Sequence, residues 1–193
     1  KPLGLSYLHE KFREKRHKSN SSYSNVDICH SKYNCKCCID MDDNSLFFQS
    51  SMTKRKYQVI NKETILNCNS KNIIYLITCN NCKIQYVGET KTMLKCRLNK
   101  HRATIRNKHI NTHIAKHFRI NNTDKNTHNC TINDLKIQPI EYINDDIDNS
   151  KSIRLFREDY WIKELRTMYP YGLNERCKEG DAMKNINNTY NIF

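Results

Sequence analysis

Between residues 72 and 102 the chain places two tyrosines, a glycine, an arginine and a histidine where one surface could collect them: Tyr75, Tyr86, Gly88, Arg97 and His101. Together they suit chemistry on a phosphodiester, which needs an activated water, positive charge for the pentavalent phosphate, and help for the leaving 3′ oxygen. An arginine is a fixed-charge fork that matches a phosphate. A histidine can orient a water or relay its proton. A phenol, with an ordinary pKa near ~10, serves as a base at neutral pH only beside positive charge. Gly88 would permit close backbone approach. Further along, Glu158 shares a helix side with Leu155, Ile162 and Leu165, and a carboxylate on such a stripe is costly unless paired or metal-bound. The plainer accounts are ordinary strand packing for the two tyrosines, and pairing of Glu158 with Arg154 or Arg157.

Ten cysteines add a second kind of chemistry. Their clustering points to metal before disulfides. Cys35-x-x-Cys38 supplies two thiolates on a tight turn, and Cys29 and Cys68 could complete a zinc site, with Cys37 or His30 able to stand in for one of them. Cys79-x-x-Cys82 is another such pair. Its partners would be two imidazoles from His109, His113, His117 and His128, of which His113 and His117 share a helical face. Four ligands leave no open position for a substrate water, so such a zinc would be structural.

These side chains need elements to position them. Residues 72–78 (NIIYLIT) alternate as a strand, with Ile73, Tyr75 and Ile77 on one face and Ile74 and Leu76 on the other. Residues 83–89 form a second strand, and the Cys79/Cys82 pair falls at the hairpin tip between them. Pairing would bring Tyr75 and Tyr86 onto one face. Thr90 is a candidate N-cap for a helix over 93–107, with Leu94, Leu98 and Ile105 inward and Arg97 and His101 one turn apart along that face's edge. A third strand is expected over 131–143 and a long helix over 153–168, with Leu155, Trp161, Ile162 and Leu165 as its core stripe and Asp159 turned away. Pro170 and Gly172 would end it.

At 193 residues the chain can bury one core with a small appendage. Lys plus Arg number 33 against 20 Asp plus Glu, a net charge of +13. That balance favours a polyanionic partner, nucleic acid being the usual one, although a Lys- and Asn-heavy composition with solvated lysines is the plainer account. No apolar run is long enough to cross a bilayer and no secretory segment is legible. The organisation expected is a basic helix and linker over 1–26, a cysteine-rich module over 27–70, a central domain over 71–177 and a polar tail over 178–193. The start on Lys1 reads as an excerpt from a longer polypeptide.

Tyr75 in IIY, then Tyr86-Val87-Gly88, then Arg97 and His101 resemble the GIY-YIG nuclease domain, with Ile73 standing where the first motif usually has glycine. The cysteine pair between the two motifs narrows the likeness to the endonuclease domain of Penelope-like retroelements. The blocks YLITC, YVGET, HIAKHF, FREDYWI and YPYGLN follow in that subgroup's order, over roughly residues 29–174.

The resemblance implies an α+β fold: a small three-stranded, largely antiparallel sheet flanked by helices, preceded by a cysteine-rich zinc module. It makes Glu158 the single carboxylate for a catalytic Mg²⁺ or Mn²⁺, Tyr75 the general base with Tyr86 alongside, and Asn174 a brace for the site. It favours Cys79, Cys82, His117 and His128 for one zinc, and Cys29, Cys35, Cys38 and Cys68 for a second. In that family the domain nicks target DNA and exposes a 3′ hydroxyl that primes reverse transcription. The partners implied are DNA and the element's own reverse transcriptase and template RNA, joined in one polypeptide, with a nuclear location and no membrane. The rival reading is a non-catalytic, zinc-dependent DNA-binding module derived from such a nuclease, distinguished by Glu158 and by metal-dependent cleavage. A stand-alone repair or homing nuclease is a weaker rival, against which the zinc pair between the motifs argues.

Overall fold

The computed structural model describes residues 29, 35–41, 46–60, 66–107, 109, 111–119, 130–144 and 150–175. The segment expected at 1–26, His30, the loop carrying His128 and the tail at 178–193 lie outside them.

Three antiparallel strands form the central sheet: β3 (Ile73–Cys79) in the middle, β4 (Gln85–Thr90) on one side and β5 (Leu135–Tyr142) on the other. The middle strand is buried on both faces, and its alternation divides the core in two. Ile73, Tyr75 and Ile77 face α2 (Leu94–Arg106), joining Leu94, Leu98 and Ile105. Ile74 and Leu76 face α4 (Ser150–Leu165), joining Val87, Ile140, Trp161, Ile162 and Leu165. Burying a β-branched or aromatic side chain stabilises by about 1.5–3 kcal/mol, so a one-residue slip of β3 would exchange both cores and is strongly disfavoured. No helix among the described residues is long and apolar enough to cross a membrane.

Several boundaries differ from expectation for local reasons. Thr90 does not cap α2; it ends β4, and its Oγ1 accepts from Thr92 N at 3.1 Å. The helix instead starts at Leu94, with Met93 in the N-cap position and no side-chain cap, and its first amides donate to main-chain carbonyls: Leu94 N to Ser70 O at 3.0 Å and Lys95 N to Cys68 O at 2.9 Å. The third strand begins at Leu135 rather than 131, because Thr131 and Asp134 close a capping box around a 3-10 turn over Ile132–Asp134. The last helix ends at Leu165, short of Pro170. Arg166 takes the left-handed conformation, φ 56°, and Thr167 N donates to Ile162 O at 3.0 Å while Arg166 N donates to Lys163 O at 3.1 Å, a Schellman ending. Asp159 is buried, contrary to its expected outward position, and Leu155 is half-buried.

The described parts of the cysteine-rich region pack against the central sheet, meeting β5 through isolated bridges at Met41 and Ile60. A short helix α1 (Lys36–Asp40) lies on α2, fastened by the ion pair of Asp40 with Arg102, and Arg102 also donates to Lys36 O at 3.0 Å. A hairpin, β1 (Phe47–Gln49) with β2 (Lys56–Gln58), covers the opposite face, setting Phe48 edge-on to Trp161 at 5.1 Å. Ile60 then pairs beside β5, donating to Ile140 O at 2.9 Å and accepting from Tyr142 N at 2.8 Å. The remaining helix, α3 (His113–His117), is capped by Thr112.

Candidate active site

The site begins with Tyr75, fully buried at the centre of β3. One helical turn separates Arg97 from His101 on α2, so both reach the same phenol. Arg97 Nε donates to Tyr75 Oη at 2.9 Å, and His101 Nε2 lies 2.7 Å from that oxygen. Burial and then the charge of Arg97 push His101 down to about 3, which keeps its imidazole neutral. Since Arg97 can only donate, the arrangement is satisfied when Oη accepts from Arg97 and gives its own hydrogen to His101 Nε2.

Strand pairing sets the second tyrosine. Tyr86 stands opposite Ile77, on the Tyr75 side, with its ring centroid 6.5 Å from that of Tyr75 and 5.5 Å from His101. Gly88 stands opposite Tyr75, and a Cβ there would collide with the Tyr75 hydroxyl and approach Tyr86 Cε1 to 2.9 Å. Only glycine lets the phenol lie across the neighbouring strand in this way. Gly88→Ala is therefore expected to cost about 1–3 kcal/mol of stability through overpacking. It should also dislodge Oη from Arg97 and His101; thermal melting and plasmid nicking measure the two effects.

The outer edge of β4 is held by the segment after α4. Leu173 N donates to Gln85 O at 2.9 Å, and the buried Asn174 amide grips both sides of Val87: Nδ2 donates to Val87 O at 2.8 Å and Oδ1 accepts from Val87 N at 3.0 Å. This fixes the backbone between Tyr86 and Gly88.

Glu158 comes from α4 and is 4% exposed. It lies close enough to both phenols for its charge to act on them. Burial first, then Glu158, pushes Tyr86 up to about 12, with Arg97 opposing. Burial, then the charge of Tyr86, and further on Glu158, hold Tyr75 well above the ordinary phenol range, again against Arg97. Burial works against the charge of Arg97 itself, but Tyr75, Tyr86 and Glu89 together outweigh it. Neighbouring arginines anchor the helix: Arg154 pairs with Glu89 at 3.0 Å and donates to Asn72 Oδ1 at 3.2 Å, while Arg157 pairs with Glu141 at 2.8 Å. The buried Glu158 carboxylate is a hard oxygen donor, and one such ligand fits a divalent cation that keeps several of its waters.

Two clusters of softer donors could hold metal ions. Sγ of Cys29, Cys35, Cys38 and Cys68 lie within 4.8 Å of one another, and so do the ligand atoms of Cys79, Cys82, His117 and Cys130. Cys82 Sγ is 3.5 Å from His117 Nε2, against roughly 3.6 Å expected for two ligands of one tetrahedral zinc with Zn–S near 2.3 and Zn–N near 2.05 Å. Burial pushes the thiols of Cys38 to about 11 and Cys130 to about 12, which opposes ionisation unless a cation takes the protons' place. Among the described residues the fourth donor at the hairpin-tip cluster is Cys130, which was not among the imidazole partners considered from sequence. The antiparallel pairing of Cys79 with Leu135 brings the approach to β5 beside the hairpin tip, and that topology is the signal for Cys130. His113 lies away from the cluster, its ring stacked on Tyr169 at 4.0 Å.

Both clusters touch the site's supports, since Cys68 O caps α2 and Cys79 ends β3. Elemental analysis should find about two equivalents of zinc per chain. Cys130→Ser should bring this to about one, and His128→Ala should leave it at two; the reverse pattern would return the fourth position to His128.

A family model described as the GIY-YIG catalytic domain matches residues 71–171, a little over half of the 193-residue chain. No curated protein and no solved structure matches.

Proposed function

The chain belongs to the GIY-YIG catalytic domain family, and from that membership we propose a metal-dependent DNA endonuclease that nicks its target by phosphodiester hydrolysis. The observation that carries this reading is the single phenol, Tyr75 Oη, held between Arg97 Nε and His101 Nε2 with Glu158 buried nearby.

Arg97, charged and aimed at the site, would bind a non-bridging oxygen of the scissile phosphate with the guanidinium nitrogens that Tyr75 does not use. Tyr75, its phenol drawn toward ionisation by Arg97 and by the cation that Glu158 would hold, would take a proton from the attacking water at Oη, while neutral His101 holds that oxygen in place through Nε2. Tyr86 would line the water's approach beside it. Rupture of the bond from phosphorus to the 3′ oxygen then leaves a free 3′ hydroxyl once that oxygen is protonated. Mg²⁺ or Mn²⁺, held by Glu158, would supply charge neutralisation at the phosphate and cancel the carboxylate's upward push on the phenols. Gly88 and Asn174 act as positioning residues, through the approach of Tyr75 and the backbone of Val87.

The finer reading is the endonuclease of a Penelope-like retroelement. It is supported by the cysteine pair between the two motifs and by the cysteine cluster ahead of the first strand. On that reading the exposed 3′ hydroxyl primes copying by the element's reverse transcriptase on its template RNA, in the nucleus. Zinc at both cysteine clusters is part of this reading.

Incubation with supercoiled plasmid, with and without Mg²⁺, tests the activity. Metal-dependent conversion to nicked circles bearing 3′ hydroxyls supports it. DNA binding without conversion would leave a non-catalytic DNA-binding module instead.

A further inference from the structure

Beyond the cleavage machinery, the loop that follows α4 presents two aromatic side chains to solvent. Tyr169 and Tyr171 are 58% and 65% exposed, while Leu173 and Asn174 behind them are buried. The loop is closed tightly by its own main chain. Gly172 N donates to Met168 O at 2.9 Å, Tyr169 N to Asn174 O at 2.8 Å, and Asn174 N to Thr167 O at 2.9 Å. A Cβ at Gly172 would run into the backbone of Thr167. The two rings are thus carried on a rigid base. One face of Tyr169 is already covered, stacked on His113 at 4.0 Å with the planes 10° apart.

This shelf adjoins the site. The same loop continues into the residues that grip Gln85 and Val87 on either side of Tyr86. The next residue, Glu175, accepts from His113 N at 3.0 Å, and its charge reaches the Tyr86 phenol. Single exposed aromatics are ordinary. Two on a braced loop, one backed by a parallel ring, at the rim of a site on a chain of net charge +13, are suited to a nucleic-acid base. Bases within an intact duplex are stacked on their neighbours and offer no free face. The base that fits is therefore unpaired.

We propose that Tyr169 and Tyr171 form a stacking subsite for an unpaired nucleotide of the DNA next to the scissile phosphate. The preferred substrate class is then a duplex interrupted by a bulge, gap or flap. This rests on the DNA endonuclease reading, and it adds a structural preference which that reading does not contain.

The test measures affinity of the full, zinc-loaded chain, without Mg²⁺, for two duplexes differing by one unpaired 2-aminopurine. The wild-type chain should bind the bulged duplex about tenfold tighter than the matched one and quench the 2-aminopurine. Tyr171→Ala alone should reduce both effects, and the Tyr169→Ala/Tyr171→Ala pair should remove them, with matched-duplex affinity unchanged. The corresponding Phe variants, which keep the ring and lose only the hydroxyl, should behave as wild type. Equal affinity for the two duplexes in a wild-type chain that nicks plasmid overturns the subsite and leaves the nuclease reading standing. So does a preference that survives Tyr171→Ala and the Ala pair. A wild-type chain that neither binds matched duplex nor nicks plasmid overturns both.

Discussion

Glu158→Gln should abolish nicking while DNA affinity stays close to wild type. The substitution keeps the size of the side chain and its hydrogen-bonding reach, but removes the charge expected to hold the catalytic cation. Losing several kcal/mol of transition-state charge stabilisation corresponds to a fall of about a thousandfold or more in the cleavage rate. The buried position of Glu158 sharpens the expectation. A neutral amide removes one of the influences that raise the Tyr75 and Tyr86 phenols, so a loss of rate would not come from weakening the proposed base. Plasmid conversion in Mg²⁺, measured beside a binding titration, separates the two quantities. Wild-type cleavage by Glu158→Gln would mean either that another carboxylate holds the cation or that the nuclease assignment is wrong. Asp159 is the first to test, and its burial makes it a worse surface ligand than an outward position would have done.

Tyr75→Phe should likewise lose cleavage, by roughly a hundred- to ten-thousandfold, the range for removal of a positioned general base. The ring's packing between β4 and α2 is retained, so folding should survive. What disappears is the one oxygen that meets both Arg97 Nε and His101 Nε2. The buried His101 imidazole then loses this partner, at a cost of about 1–3 kcal/mol unless water enters, while the half-buried Arg97 keeps its contact with Tyr86. A modest fall in melting temperature should therefore accompany the large fall in rate. Tyr86→Phe is the control: its ring shares the same face, yet Tyr75 is the phenol bonded to both Arg97 and His101, so its loss should be smaller. Equal losses from the two variants would make Tyr86 a co-equal base.

Much of the site's scaffold was legible because it depends on short-range periodicity. Alternation in residues 72–78 is enough to divide Tyr75 from Leu76, and the four-residue spacing of Arg97 and His101 is enough to put them on one helical edge. The α+β class with a three-stranded, largely antiparallel sheet, implied by the family resemblance, is the fold observed. Capping was less legible. Thr90 has the right chemistry for an N-cap, but β4 runs through it, and carbonyls from residues 68 and 70 reach the helix end from a distant part of the chain. Asp159 was misplaced because one stripe was taken for the whole buried surface, whereas Arg154, Glu158, Asp159, Trp161, Ile162 and Leu165 of this helix are all buried.

From the sequence alone came the charge that selects a polyanion, the two cysteine pairs, and the residues converging on one surface. These follow from composition and from the fixed periods of strand and helix, which act over a few residues. The tertiary structure alone decided which partners complete each group. It set Gly88 under the Tyr75 hydroxyl, gave the Asn174 amide to Val87, and brought Cys130 beside Cys79. It also let the described parts of the cysteine-rich segment cap α2 and cover the sheet. Each of these is a meeting of residues more than ten positions apart, fixed by strand order and register. No local period encodes that, because it is settled only when the two faces of β3 are buried together.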